Sequence, residues 1–364
     1  MCNLQLQMET NTEKKYFTRQ LTSWHATENY RSLPWKSEQD PYKIWLSEII
    51  LQQTRALQGL PYYLSFTQNY PTVAALANAN EEDAFRLWQG LGYYNRCKNM
   101  LATARYINDE LKGKFPNTYE GLLQLKGIGP YTAAAIASFA FSLPHAVIDG
   151  NVYRVLSRYF GIDTPFDTTE GKKIFSALAG ELLDKNNSSA YNQAIMDLGA
   201  TICTPRKPLC TECPLQKRCL AFQQGLIDTL PVRSKKLIIK KRYFNYLLLK
   251  WKDTIWVHKR TGKDIWENLH EPLLIETDHP VDPEGILQNE LFVKYKIEYI
   301  DIKYEGGSAQ RLTHQVINAQ FYTVIVNQKP IINIENGMWL NIKDLKKIGF
   351  PKTVVSFFKK KLYF

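Results

Sequence analysis

Residues Leu125–Arg154 read LKGIGPYTAAAIASFAFSLPHAVIDGNVYR, and the fold follows from how that stretch is punctuated. Gly127 and Gly129 flank one apolar residue, Ile128, so the backbone can turn tightly and approach a ligand closely. Pro130 then opens a helix that is apolar nearly all round, which marks it as buried. Backbone N–H groups gathered at such a helix start form a nest suited to a phosphate. Pro144 stops the helix, and Asp149-Gly150-Asn151 opens another whose apolar stripe is Val152, Val155, Leu156 and Tyr159. A carboxylate beside a phosphate site repels the backbone bound there. A sugar that turns cationic as its glycosidic bond breaks would give Asp149 a reason to be present. The plainer reading of Asp149 is an N-cap.

Outward from this stretch, the chain has 364 residues, enough for two or three domains. A net charge of +11 favours a polyanionic partner. No run of eighteen apolar residues occurs and the first residues lack a signal peptide's apolar segment, so no membrane partner is expected. Four of the six cysteines crowd into one short window, which points to a metal site rather than a disulfide framework.

Upstream, Asp40-Pro41 is an N-cap followed by a first-turn proline, and the pattern predicts a helix from Tyr42 to about Leu57. Ile44, Trp45, Ile49 and Ile50 mark it as core. Glu48 stands in that company, so desolvation should raise its pKa and hold it protonated, the state a general acid needs. A surface ion pair is the ordinary alternative for a helical Glu. Gln52 follows one turn on. Residues 71–115 have helical periodicity broken at Gly90-Leu91-Gly92, and Tyr93-Tyr94-Asn95-Arg96 combines aromatics with a cation, as nucleic-acid contact requires. A turn packed by two tyrosines would look the same. Tyr119 to Leu125 is a short helix, which completes a helix-hairpin-helix pattern.

Downstream, a helix over about Tyr191–Thr201 leads to Cys203, Cys210, Cys213 and Cys219, spaced C-x6-C-x2-C-x5-C. One Cys-x-x-Cys hook with longer arms leaves zinc and a 4Fe-4S cluster equally open on chemistry alone. Arg206, Lys207, Lys217 and Arg218 suggest that this loop also meets phosphates. Residues 223–241 form a basic linker. Beyond it YFNYLLLKW, TIWVHKR, KYKIEYIDIKY and VINAQFYTVIV are strand-like, and Asp344 to Leu362 reads as one or two helices, so residues 242–364 form an α+β domain.

LPWKSEQDPYKIWLSEIILQQT, WQGLGYYNRCKN, LKGIGPYTAAAI, VIDGNVYRV, NQAIMDLGATIC and the cysteine spacing occur in one order and context. Together they resemble the adenine DNA glycosylase (MutY) family over nearly the whole chain. The resemblance implies an all-helical helix-hairpin-helix catalytic core over residues 1–222 with an iron–sulfur loop at about 203–219, then a Nudix-like domain over 242–364. It resolves the metal question toward a 4Fe-4S cluster held by Cys203, Cys210, Cys213 and Cys219. It implies double-stranded DNA carrying adenine opposite 8-oxoguanine or guanine as partner, and base excision repair as the process. Carried over by position, Glu48 protonates the adenine, Asp149 stabilises the sugar cation, and Tyr131 and Asn151 orient them. Leu33, Trp35 and Gln193 line the adenine pocket. Gln52 or Gln53 fills the gap in the duplex, Tyr93 wedges at the orphaned partner, and Gly127, Ile128 and Gly129 hold the backbone. Tyr131 stands where lyase relatives carry a lysine, so a monofunctional enzyme that leaves an abasic site is expected. Lys126 departs from the family's usual proline and reads as a phosphate contact.

In the second domain TGKDIWENLHEPLL and RLTHQVINAQFY are the recognisable Nudix-like pieces, but no magnesium-holding Arg-Glu-x-x-Glu-Glu run follows Trp266, so nucleotide hydrolysis is not expected. Thr313 and His314 fall where the family contacts 8-oxoguanine, with Leu312 in place of its usual aromatic. A monomer in a bacterial cytoplasm, associated with the nucleoid, completes the expectation.

Overall fold

The computed structural model describes residues 11–29, 31–234, 239–312 and 314–361. The chain begins with helices: α1 (Asn11–Thr27), α2 (Pro41–Leu51), α3 (Ala56–Asn69), α4 (Val73–Ala77), α5 (Glu81–Trp88), α6 (Asn95–Asp109), α7 (Tyr119–Leu123), α8 (Pro130–Phe141), α9 (Gly150–Phe160), α10 (Thr169–Leu182), α11 (Ser188–Thr201) and α12 (Leu220–Gln223). Packing sorts the chain into two compact units, one of residues 1–59, 71–77 and 102–236, the other of residues 60–70, 78–101 and 237–364.

In the first unit α8 is the central element. Ala133, Ala135, Ile136, Ala137 and Ser138 are wholly buried, and α2, α7 and α11 pack around the helix. Small side chains on α8 let these helices approach closely. A second layer joins Phe17 and Leu21 of α1, Val152 and Leu156 of α9, Phe175 of α10 and Leu198 of α11. Cys203, Cys213 and Cys219 pack against this same cluster, so the cysteine loop is set on the core.

Several helix ends follow their sequence signals. Asp40 caps α2 by accepting from the Tyr42 N–H at 2.9 Å. Ser142 ends α8 in the left-handed region at φ 54°. The expected helix over 42–57 is a correction: it stops at Leu51, because Gln52 is extended and Gln53 turns left-handed at φ 55°. No Gly or Pro marks that break, so periodicity ran through it.

The second unit carries a mixed sheet of β1 (Lys240–Trp251), β2 (Thr254–Lys259), β3 (His270–Glu271), β4 (Leu273–Thr277), β5 (Tyr299–Arg311), β6 (Gln315–Val326) and β7 (Gly337–Asn341). The order is β3-β2-β1-β6-β5, with β4 on β1 and β7 on β2. β1 and β6 run parallel from Lys240↔Gln315 to Lys250↔Ile325. Short helices α13 (Pro283–Leu287) and α14 (Glu290–Lys294) cover one face through Ile286 and Phe292. The terminal α15 (Lys352–Lys360) stacks Phe357 on Phe321 with ring centroids 4.1 Å apart. The stretch KYKIEYIDIKY is a strand only from Tyr299, since Lys294 ends α14 and Lys296 is left-handed at φ 44°.

Candidate active site

Two carboxyl groups meet around the start of α8. Glu48 projects from the inner face of α2 and is 5% exposed. Tyr131, in the first turn of α8, donates its hydroxyl proton to Glu48 Oε2 at 2.8 Å. Burial pushes the Glu48 carboxyl up; the Tyr131 hydrogen bond pulls it down and the nearby Asp149 raises it further, leaving it at about 7. Burial, then the charges of Glu48 and Asp149, hold the Tyr131 phenol well above its ordinary range. Tyr131 is therefore a neutral donor.

Asp149 is the N-cap of α9. Its Oδ1 accepts from the backbone N–H groups of Asn151 and Val152, both at 2.8 Å, and its Oδ2 from Asn151 Nδ2 at 2.6 Å. Burial raises its pKa, while these three bonds and Arg154 oppose the rise. The capping carboxylate nevertheless stays partly exposed. The two acids differ in environment: Glu48 has one hydroxyl partner in an apolar wall, whereas Asp149 has three donors fixed by a helix start.

Asn151 passes the constraint on. Its Oδ1 accepts from Arg154 Nη2 at 2.7 Å, and Arg154 also donates to Gly199 O and to Cys203 O, each at 2.7 Å. Arg158, one turn later and 2% exposed, donates to Thr204 O at 2.8 Å and Leu230 O at 3.1 Å and lies 3.5 Å from Cys203 Sγ. Sequence reading missed both arginines. The available signal was slight: a pair of cations four residues apart, one turn of helix, beside the buried stripe of α9.

The hairpin divides its labour. The Ile128 side chain is buried and Gly127 turns at φ 80°, so Ile128 pins the turn and offers a ligand only backbone. A Cβ at Gly129 would meet nothing within 4 Å, which leaves the entry to α8 open. Lys126 is exposed. Gln52 Nε2 reaches the Thr132 hydroxyl at 3.2 Å, and Gln53 is exposed.

Leu33, Trp35 and Gln193 come together although 160 positions separate the first and last. Leu33 is buried and Trp35 half-buried on a turn closed by Lys36 N–H to Leu33 O at 3.0 Å, and Gln193 Nε2 donates to Lys36 O at 3.0 Å. Within the second unit, Tyr93 is left-handed at φ 50° and 44% exposed, with the Arg96 guanidinium 5.4 Å from its ring. His314 is exposed at the β5–β6 turn; Thr313 lies outside the described residues.

The cysteine loop supplies the soft sulfur donors that either a zinc ion or an iron–sulfur cluster takes. Cys203, Cys210, Cys213 and Cys219 are free, and Cys213 feels the charge of the other three. Among the described residues no group of three or more His, Cys, Asp or Glu converges on one metal ion. Sulfurs around a single zinc would lie about 3.8 Å apart, given Zn–S bonds of about 2.3 Å; a four-iron cube is larger and needs wider spacing. Within the loop, Arg218 is exposed but already has partners. It pairs with Glu13 Oε2 at 2.7 Å and stacks on Tyr16 at 4.0 Å. Arg206, Lys207 and Lys217 stay exposed.

Residues 46–179 match the HhH-GPD superfamily base excision DNA repair protein model, and residues 203–219 the iron-sulfur binding domain of endonuclease III. A thermostable thymine-DNA glycosylase superposes with a TM-score of 0.55 at 29% identity, covering 59% of this chain and 98% of its own. The helical fold is thus that of a helix-hairpin-helix DNA glycosylase with a 4Fe-4S loop. Adenine DNA glycosylase from Buchnera aphidicola (Schizaphis graminum) is 32% identical over 340 residues, 93% of this chain and 96% of that protein. The mouse adenine DNA glycosylase is 42% identical over 230 residues, 60% of this chain and 44% of that one. The chain belongs to the adenine DNA glycosylase family.

Proposed function

We propose that this protein hydrolyses the N-glycosidic bond of adenine mispaired with 8-oxoguanine or guanine and leaves an abasic site. The observation that carries the reading is the difference between two neighbouring carboxyls, Glu48 at about 7 with a single tyrosine partner and Asp149 held by three donors. Two acids kept in unlike environments are what glycoside cleavage uses.

The adenine leaves the stack and enters the turn that carries Leu33 and Trp35, with Gln193 behind it. Glu48 delivers its proton to N7. The C1′–N9 bond breaks, its electron pair goes to N9, and the deoxyribose becomes cationic. Asp149, oriented by Asn151, lies ionised against that cation. Water adds at C1′ and gives up its proton to a carboxylate. Tyr131 has no amine, so no imine forms and the strand stays uncut. Gln52 or Gln53 occupies the vacated stack, Tyr93 wedges at the orphaned base, and the exposed hairpin, with Lys126, holds phosphates. Four cysteine thiolates would hold the 4Fe-4S cluster, which ties four points of the loop together covalently.

On this reading residues 1–222 are the catalytic domain and 223–241 a linker. Residues 242–364 recognise 8-oxoguanine through the turn bearing Thr313 and His314. The protein works as a monomer on nucleoid DNA in a bacterial cytoplasm; among the described residues no helix is long and apolar enough to cross a membrane.

The test is single-turnover incubation with A:8-oxoguanine, A:G and A:C duplexes, with and without alkali. Cleaved strands only after alkali, fastest with 8-oxoguanine, support the reading. Strand nicking without alkali, or equal rates on all three, contradict it. Asp149→Asn must abolish turnover while duplex binding survives, because its charge acts in the transition state.

A further inference from the structure

Asp197 on α11 is a buried carboxylate with several donors gathered on it, and no step above uses it. It is 2% exposed. Asn29 Nδ2 donates to Oδ2 at 2.6 Å and Arg31 Nη1 to Oδ1 at 2.7 Å. Lys36 Nζ donates to Oδ2 as well, and His25 Nε2 stands 3.6 Å from Oδ2. All four donors lie between residues 25 and 36, at the end of α1 and along the irregular chain that follows it.

That chain is the one bearing Leu33 and Trp35. It has no regular hydrogen-bond ladder to fix its shape. Lys36 Nζ folds back to Arg31 O at 2.9 Å, which closes the turn. Arg31 N–H donates to Asn29 Oδ1 at 3.2 Å. One turn of helix before Asp197, Gln193 holds Lys36 O at 3.0 Å. The segment is therefore fastened to a single face of α11 at two levels, and the lower fastening is one carboxylate. Burial alone would raise the pKa of Asp197, but hydrogen bonds from His25, Lys36, Arg31 and Asn29 outweigh it and hold the group ionised far below neutrality. A buried anion that gathers this many donors fixes their positions, since any slack leaves a desolvated charge unpaired.

We infer that Asp197 is the positioning residue of the base pocket: it sets a strap of Asn29 and residues 31–36, and with it Leu33 and Trp35, against α11 so that an extruded adenine is gripped in register with Glu48. This rests on the adenine reading above. Asp197 does not touch the reacting atoms; it acts through the strap.

The experiment uses the full chain with its cluster, comparing wild type with Asp197→Asn, Asn29→Ala and Lys36→Gln. Single-turnover adenine release is measured on an A:8-oxoguanine duplex, alongside binding of a duplex that already carries an abasic analogue and 2-aminopurine fluorescence as a reporter of base capture. Asp197→Asn should slow release at least tenfold and lower the 2-aminopurine signal, with abasic-duplex affinity within about twofold of wild type. The two strap variants should shift the same readings by smaller factors. Normal release by a folded, cluster-loaded Asp197→Asn overturns the inference. So does a parallel loss of abasic-duplex binding, which would mark a general folding role. If Asp197→Asn fails to fold, wild-type release and capture by both strap variants overturns it equally. A wild type that releases no adenine sinks the adenine reading and this inference with it; a wild type that does, beside unaffected variants, sinks this inference alone.

Discussion

The phenol of Tyr131 donates to Glu48 Oε2 across 2.8 Å, so the first turn of α8 reaches into the apolar wall of α2. The bond favours the ionised acid, while burial and the charge of Asp149 favour the protonated one, and the balance rests at about 7. Activity that needs Glu48 protonated must fall as pH rises through that value. Tyr131→Phe removes the one influence that lowers the pKa. Its pH–rate profile under single turnover should keep the alkaline limb but move it to higher pH. An unmoved limb would mean that another group sets it.

The same balance sets a stability dependence. The unfolded carboxyl titrates near the ordinary value of 4.5, the folded one at about 7. Between these the folded state binds more protons, so stability falls as pH rises, and the loss is complete above 7. A shift of this size is worth at most about 3 kcal/mol. Glu48→Gln cannot titrate and still accepts from Tyr131. It should match wild type near pH 4, exceed it in thermal unfolding at pH 8, and lose roughly 10²–10⁴-fold in turnover. Equal melting at pH 8 would show that burial does not strain the acid.

Asp149 caps α9 and, on the proposed mechanism, also faces the sugar; two substitutions separate the tasks. Asn caps about as well as Asp, whereas Ala costs about 1 kcal/mol. Asp149→Asn should therefore unfold within about 0.5 kcal/mol of wild type, and Asp149→Ala should unfold earlier by about the cap's worth. Both should lose turnover. If Asp149→Asn retains turnover, capping is the residue's whole role.

Much of this arrangement was legible in the chain because its signals are local. Asp40-Pro41 announced α2, Ile44, Trp45, Ile49 and Ile50 announced the wall around Glu48, and all four are buried. Gly127 to Gly129 announced the hairpin, whose turn shows in the Gly127 φ of 80°. What stayed hidden depends on distant partners. Nothing in YNQAIMDLG says that Asp197 gathers donors from residues 25–36, or that Arg154 and Arg158 bury themselves to hold the carbonyls of the cysteine loop. The break at Gln52-Gln53 was invisible for the opposite reason: a left-handed glutamine has no compositional mark, and only the structure supplies the φ. Arg218 is as solvent-facing as its neighbours, but its partners Glu13 and Tyr16 lie some two hundred residues away and could not be read locally.

Pairing distinguishes two neighbouring cations of the cysteine loop, and salt dependence can tell which of them meets DNA. Lys217 is exposed and Arg218 is paired with Glu13. The logarithm of duplex affinity should fall linearly with the logarithm of salt concentration, and each lost phosphate contact should flatten the slope by about 1. Lys217→Gln should flatten it. Arg218→Gln should leave the slope alone and lower the melting temperature. The reverse pattern would place Arg218 on the phosphates.

Gly199 of α11 packs against Asn151 at the start of α9. A Cβ there would sit 2.6 Å from Asn151 Cβ and 3.0 Å from Asn151 O, and neither can yield without moving the start of α9. Gly180 in α10 is the internal comparison, since a Cβ there meets nothing within 4 Å. Replacing a helical glycine by alanine gains up to about 1 kcal/mol of helix propensity, so Gly180→Ala should stabilise the protein and leave turnover unchanged. Gly199→Ala gains the same propensity but meets an overpacking cost of about 1–3 kcal/mol. Its melting temperature should be equal or lower. Its turnover should fall at least tenfold, because Asn151 Nδ2 holds Asp149 at 2.6 Å and a shift of a few tenths of an ångström misaims the carboxylate. Binding to an abasic duplex should persist. A Gly199→Ala protein that turns over normally would mean that α9 can slide past α11 without disturbing Asp149, and that the close approach of these helices serves packing alone.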